Sequence, residues 1–159
     1  MPVSLHDTVF EIQHDHTQLE VLFEDLLLIA RQAFMSAEEL ELMEDASAQW
    51  SCLQQEIAGH FGREERKIFS PLGSAYPEHA ETLQALSSQH QTLRHELVAF
   101  EQLLRGSAAE VASHQKEFEA RWATFAVLWQ AHSELEWKLL QTIRERMERD
   151  AGSDEEEQP

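Results

Sequence analysis

The sequence has few basic residues. It contains 12 lysines and arginines against 30 acidic residues, which gives a formal net charge of −18. Nucleic-acid binding depends on basic side chains that neutralise phosphates, and an anionic membrane surface repels an acidic protein. The composition therefore predicts a protein with no nucleic-acid partner and no membrane partner.

Cysteine, glycine and proline are scarce as well. Cys52 is the single cysteine, so no internal disulfide can form, and we expect a reducing, cytoplasmic location. The 5 glycines and 4 prolines leave little material for the turns of an all-β fold. No apolar run is long enough to cross a bilayer, and the first ten residues lack the pattern of a secretory signal.

Apolar residues recur in steps of three and four, which is the pattern of amphipathic helices. Pro71 and Gly73 are expected to end the second of four helical segments. The segments are predicted at residues 5–34, 37–70, 77–105 and 108–150. Long helices with short links predict an all-α, up-down-up-down four-helix bundle over residues 1–150. Residues 151–159 lack large apolar side chains and are expected to form a disordered acidic tail.

Each predicted helix carries one histidine within its apolar stripe, namely His16, His60, His90 and His132. A single histidine in such a place is most often a core residue bonded to a polar neighbour. Burying a polar imidazole without any partner is costly. Four of them converging in one bundle therefore predict a partner that they share.

Two of these histidines are followed four residues later by a glutamate, as His60 by Glu64 and His132 by Glu136. Residues four apart lie on the same side of a helix, one turn along. Each glutamate should therefore point inward with its histidine. A buried carboxylate must be paired, protonated or bound to a metal ion.

The pattern repeats along the chain, since His60 follows His16 by 44 residues and His132 follows His90 by 42. Each half thus supplies one histidine and, a helix later, a histidine with a glutamate. Two related half-sites predict two cations with the glutamates between them. Imidazole and carboxylate ligands suit iron, manganese or zinc, and the lack of thiolates argues against an iron–sulfur cluster or structural zinc.

These residues resemble the hemerythrin-like, HHE cation-binding family. The resemblance is carried by the sequence HFGREE at 60–65, IFSP at 68–71 and HSELE at 132–136, together with His16 and His90. It implies a four-helix bundle around two iron ions, bridged by carboxylates and an oxo or hydroxo group. The implied metal ligands are His16, His60, Glu64, His90, His132 and Glu136. The implied activities are binding or sensing of O₂ or nitric oxide, iron handling, and repair of iron–sulfur clusters.

One position departs from the oxygen-carrying members, which have a second histidine four residues after the one matching His90. Here that position is Arg94. The sequence is more similar to the symmetric branch with four histidines and two glutamates. One imidazole fewer leaves room for an exogenous ligand, which favours chemistry with peroxide, O₂ or nitric oxide over dedicated carriage. Repair members usually have an additional cysteine-bearing domain before the bundle, so repair is less favoured.

Several alternatives stay open on the sequence. The protein is either an enzyme or a binding and sensing module that acts with a protein partner or as a homodimer, and a metal-free helical adaptor is a further alternative. Zinc or manganese could replace iron. Glu20 and Tyr76 could contribute to the site. Asp15 and Glu65 are expected at the surface, although Asp15 could accept an imidazole N–H and Glu65 could bond an arginine or another helix.

Overall fold

The computed structural model describes residues 5–36, 40–105 and 110–155. Its α-helices are α1 (Leu5–Met35), α2 (Leu40–Glu64), α3 (Ser70–Ala75), α4 (Ala80–Leu104) and α5 (Val111–Glu155). A π-helical turn, Glu65–Phe69, joins α2 to α3, so that α2 and α3 follow one another without a break in the helical backbone. A short 3₁₀ turn, Pro77–His79, leads into α4. The described segments contain no β-strand.

The long helices form a closed bundle in which α1 packs against α2 and α5, and α4 packs against the same two helices. This arrangement confirms the predicted all-α four-helix bundle. Within the described ranges, no helix is both long and apolar enough to cross a membrane.

Two predicted boundaries differ from the structure. The second segment does not end before Pro71 but continues to Ala75. In the π-helical turn the Ser70 N–H bonds to the Glu65 carbonyl, five residues back. Pro71, which has no N–H to donate, therefore occupies the second position of a new α-helical stretch and not the interior of a regular helix. At the other end, α5 continues past residue 150 to Glu155, and 156–159 lie outside the described residues. The disordered tail stays a prediction.

Two apolar clusters fill the bundle, one towards each end. The larger is built around Trp50, Phe100 and Phe118, and the smaller joins the π-helical turn to the later part of α5. A layer of polar side chains separates them. Along α4, for example, Leu86 belongs to the smaller cluster and Leu93 to the larger one, and His90 lies between. The two cores thus hold this layer in the interior of the bundle.

The larger core should depend strongly on Trp50, which is fully buried. Its ring centroid lies 5.1 Å from that of Phe100, 5.9 Å from Phe118 and 6.1 Å from Trp122. We expect Trp50→Ala to lower the free energy of unfolding by about 3–5 kcal/mol, because it leaves a large cavity. The matched control is Trp137→Ala, since Trp137 is 38% exposed. Chemical denaturation followed by circular dichroism measures both, and equal losses would contradict the assignment of Trp50 to the core.

Candidate metal centre

The structure brings all six predicted ligands together in the polar layer. They come from the four long helices: His16 from α1, His60 and Glu64 from α2, His90 from α4, and His132 and Glu136 from α5. Five of them are at most 2% exposed, while His16 is 12% exposed. The helical spacing of four explains why each glutamate faces inward beside its histidine.

Glu64 lies at the centre of this group. Its Oε1 is 2.7 Å from Nε2 of His60 and 3.4 Å from Nε2 of His16. Its Oε2 is 3.1 Å from Nε2 of His90. One carboxylate thus presents its two oxygens to histidines on opposite halves of the sequence repeat.

Glu136 approaches the same centre from α5, and its Oε2 is 3.3 Å from Nε2 of His16. One donor atom from each of His16, Glu64, His132 and Glu136 lies within 4.8 Å of the others. The histidines form two neighbouring pairs. Ring centroids are 4.9 Å apart for His16 and His60 and 4.7 Å apart for His90 and His132.

The inward-facing atoms lack proper hydrogen bonds. Nε2 of all four histidines and both carboxylate oxygens of Glu64 and Glu136 are buried without a hydrogen-bond partner of acceptable geometry among the described residues. Most buried polar atoms in proteins have such a partner. Four imidazole nitrogens and four carboxylate oxygens aimed at one another form a donor set that fits divalent or trivalent cations.

The electrostatics of the bare cluster are unfavourable. Burial by itself would raise the pKa of Glu64, but the imidazoles of His16, His60 and His90 lower it well below the usual range. Burial and the nearby Glu64 charge raise the pKa of Glu136 well above its usual range. Burial, with repulsion from His90, lowers the pKa of His132 to about 3. In the bare cluster the two carboxylates are therefore not readily ionised together. A bound cation would stabilise both of their negative charges.

Carboxylates behind two of the histidines orient the rings. His60 Nδ1 lies 3.3 Å from Asp15 Oδ2, which also accepts a 2.8 Å hydrogen bond from Arg63. Donation from Nδ1 leaves the lone pair of a neutral imidazole on Nε2, directed at the centre. Asp15 thus lies against an imidazole nitrogen, which is the alternative that the sequence left open, and its side chain stays 35% exposed.

The same arrangement recurs at His90, whose Nδ1 lies 2.8 Å from Glu65 Oε1. Arg94 donates to this oxygen at 3.3 Å and lies over the Phe61 ring. Glu65 thus bonds another helix, which is one of the alternatives left open by the sequence. Arg94 therefore acts on the carboxylate behind His90 and does not face the centre.

The polar partner of His132 was missed by the sequence analysis. Its Nδ1 lies 3.2 Å from Oε1 of Gln89, a neutral amide on α4. No spacing rule connects the two residues, because they belong to different helices. Gln89 directly precedes His90 in the sequence, but this position does not indicate a contact with His132.

Aromatic rings hold the imidazoles in place. Phe61 stacks on His90 with ring centroids 3.9 Å apart, and Phe69 stacks on the same ring at 5.4 Å. Trp129 lies 5.1 Å from His16 by ring centroids. These contacts limit the rotation of both rings, and His90 is fully shielded from water.

Glu20 and Tyr76, whose contribution to the site the sequence left open, lie in different parts of the bundle. The Glu20 carboxylate accepts a 3.4 Å hydrogen bond from the Trp129 indole and lines a cavity beside His16 and Glu136. Tyr76 packs against the smaller apolar cluster, with Arg146 over its ring. Glu20 thus lies next to the centre, whereas Tyr76 belongs to the packing at the end of the bundle.

The raised pKa of Glu136 predicts the effect of removing its charge. A group whose pKa is higher in the folded protein stabilises it below the unfolded-state pKa, and this contribution is lost as the pH rises through the folded-state pKa. Without metal, Glu136→Gln should therefore melt a few degrees above the original protein at neutral pH. The difference should vanish under acidic conditions, where Glu136 is already protonated. Thermal denaturation in the presence of a chelator tests this, and a less stable variant at neutral pH would contradict it.

Comparison with known proteins agrees with this geometry. The family model described as the hemerythrin HHE cation-binding domain matches residues 7–142. No curated protein and no solved structure matches the chain. The matched range contains all six clustered residues and nearly all of the bundle. The chain therefore belongs to the hemerythrin HHE cation-binding domain family.

Proposed function

We propose that the six clustered side chains hold two iron ions and that the protein binds, senses or reacts with a small molecule there. The candidate ligands are His16, His60, Glu64, His90, His132 and Glu136. The observation that carries the proposal is the set of buried nitrogen and oxygen atoms that face one another without proper hydrogen bonds. A cation would supply each of them with a partner.

A pair of ions is favoured over a single ion by the position of Glu64. Its two oxygens face different histidines, His60 and His16 on one side and His90 on the other. A carboxylate in such a position can bridge two cations. Glu136, the equivalent residue of the second half, lies beside His16 and His132 and is proposed as the second bridge.

Iron is favoured among the cations that accept imidazole and carboxylate ligands, because the ligand set suits it and the family resemblance implies it. Manganese and zinc are the alternatives. When bound, a pair of iron ions supplies redox chemistry and a place for O₂, peroxide or nitric oxide. The chain's own contribution is to deliver the ligands, to keep water away from the rings and to orient the imidazoles through Asp15, Glu65 and Gln89.

The first experiment measures the metal content of the purified protein together with its visible spectrum, before and after reduction and exposure to air. We expect about two irons per chain and an absorption that bleaches on reduction, as the six-ligand proposal requires. His90→Ala should lose this metal, whereas His95→Ala, which changes an exposed histidine of the same helix, should keep it.

A protein that takes up neither iron nor another cation would contradict the proposal and favour a metal-free helical adaptor. A single, spectroscopically silent zinc would likewise overturn the di-iron assignment. Release of iron to an acceptor without turnover of O₂, peroxide or nitric oxide would favour iron handling or repair instead.

A second prediction concerns the carboxylate behind His90. Glu65→Gln should weaken metal affinity by about tenfold to a hundredfold, because a neutral amide orients and polarises the imidazole less well. Competition with a chelator of known affinity measures the change. Glu56→Gln is the matched control, because it neutralises an exposed glutamate on α2. Similar affinities for both variants would show that Glu65 has no part in the centre.

A further inference from the structure

A cavity of about 200 Å³ opens between α1 and α5. His16 and Glu136 contribute to its wall, so the cavity reaches the candidate metal centre directly. The remaining lining includes Thr17, Glu20, Ser133 and Trp137. The volume is enough for a small molecule together with a few waters.

This cavity gives access to the centre on the side of His16. Among the six candidate ligands, His16 alone has appreciable exposure, at 12%, and the other five are at most 2% exposed. Trp137, which is 38% exposed, lies at the rim. A molecule that approaches through the cavity meets His16 and Glu136 first.

The wall of the cavity combines apolar surface from Trp137 and Leu140 with side-chain oxygens that can accept hydrogen bonds. The Ser133 hydroxyl is buried and has no hydrogen-bond partner among the described residues. The Glu136 carboxylate, in contrast, faces His16 and the candidate metal centre. The Glu20 carboxylate is held in place by the Trp129 indole N–H, which donates to it at 3.4 Å. No lysine or arginine contributes to this lining. Glu20 therefore gives the entrance a negative charge, and Glu20 and Ser133 offer oxygen atoms that can accept hydrogen bonds.

We infer that this cavity selects small, neutral molecules that donate hydrogen bonds, of which hydrogen peroxide is the one suited to the centre, and that Glu20 sets the preference. The inference rests on the proposed metal-binding function. Hydrogen peroxide has two O–H groups, which can donate hydrogen bonds to the oxygens of Glu20 and Ser133. O₂ and nitric oxide have no hydrogen to donate, and anions are repelled by the Glu20 carboxylate.

The decisive variant is Glu20→Gln, which removes the charge and keeps an amide oxygen for the Trp129 N–H. Three probes are used on the iron-loaded protein. Azide binding to the oxidised form is measured by optical titration, the spectral change with hydrogen peroxide by stopped flow, and nitric oxide binding to the reduced form without air. Glu24→Gln is the matched control, because it neutralises an exposed glutamate one turn further along α1 that does not line the cavity.

In Glu20→Gln we expect azide affinity to rise about fivefold, because one repelling charge is gone. The rate with peroxide should fall about threefold, since an amide oxygen accepts hydrogen bonds more weakly than a carboxylate. Nitric oxide affinity should stay the same, and Glu24→Gln should change none of the three. The opposite responses to azide and peroxide are the signature of an acceptor that also carries charge.

Equal effects of Glu20→Gln and Glu24→Gln would overturn the inference. It would also be overturned if Glu20→Gln lowered the nitric oxide affinity by the same factor as the rate of the peroxide reaction. Ser133→Ala gives an independent measurement, and it should slow the peroxide reaction without raising azide affinity. Iron uptake is determined first for every variant. Failure of the original protein to bind iron contradicts the proposed function, whereas normal iron uptake with unchanged probe responses contradicts only the selectivity of the cavity.

Discussion

The burial of two carboxylates within one layer of four imidazoles is the constraint on which this bundle depends. Glu64 and Glu136 are both 1% exposed, and burial together with the charge of Glu64 raises the pKa of Glu136. Solvent cannot relieve this repulsion, so the protein must do so through protons or cations. The apolar clusters on either side pack the helices together and hold this layer in the interior of the bundle. The candidate metal centre is thus a buried polar layer between two apolar clusters.

The sequence repeat becomes an approximate symmetry of this layer, and its departures from symmetry are chemically significant. Asp15 with Arg63 stands behind His60, and Glu65 with Arg94 stands behind His90. His132 has only the neutral Gln89 in the corresponding place. A carboxylate makes an imidazole a stronger ligand than an amide does. Each half therefore has a carboxylate behind one of its histidines, but this is the later histidine in the first half and the earlier one in the second half.

The substitution at position 94 is explained by the same contacts. A histidine at this position in the oxygen-carrying members would add an imidazole, whereas Arg94 extends past Phe61 to the Glu65 carboxylate. The residue thus acts on His90 through the Glu65 carboxylate. A cavity between α1 and α5 borders the centre at His16 and Glu136.

The sequence by itself determined the helices and the candidate ligands. Both follow from local rules: apolar spacing of three and four defines the buried face of each helix, and a histidine with a glutamate four residues later places both side chains on that face. Pro71 misled the prediction of the second helix, because sequence rules do not foresee the π-helical turn that accommodates it. The tertiary structure alone decided what stands behind each imidazole and where the centre opens. Asp15, Glu65, Gln89 and Glu20 make their key contacts with residues of other helices, and such contacts depend on the rotation and offset of packed helices.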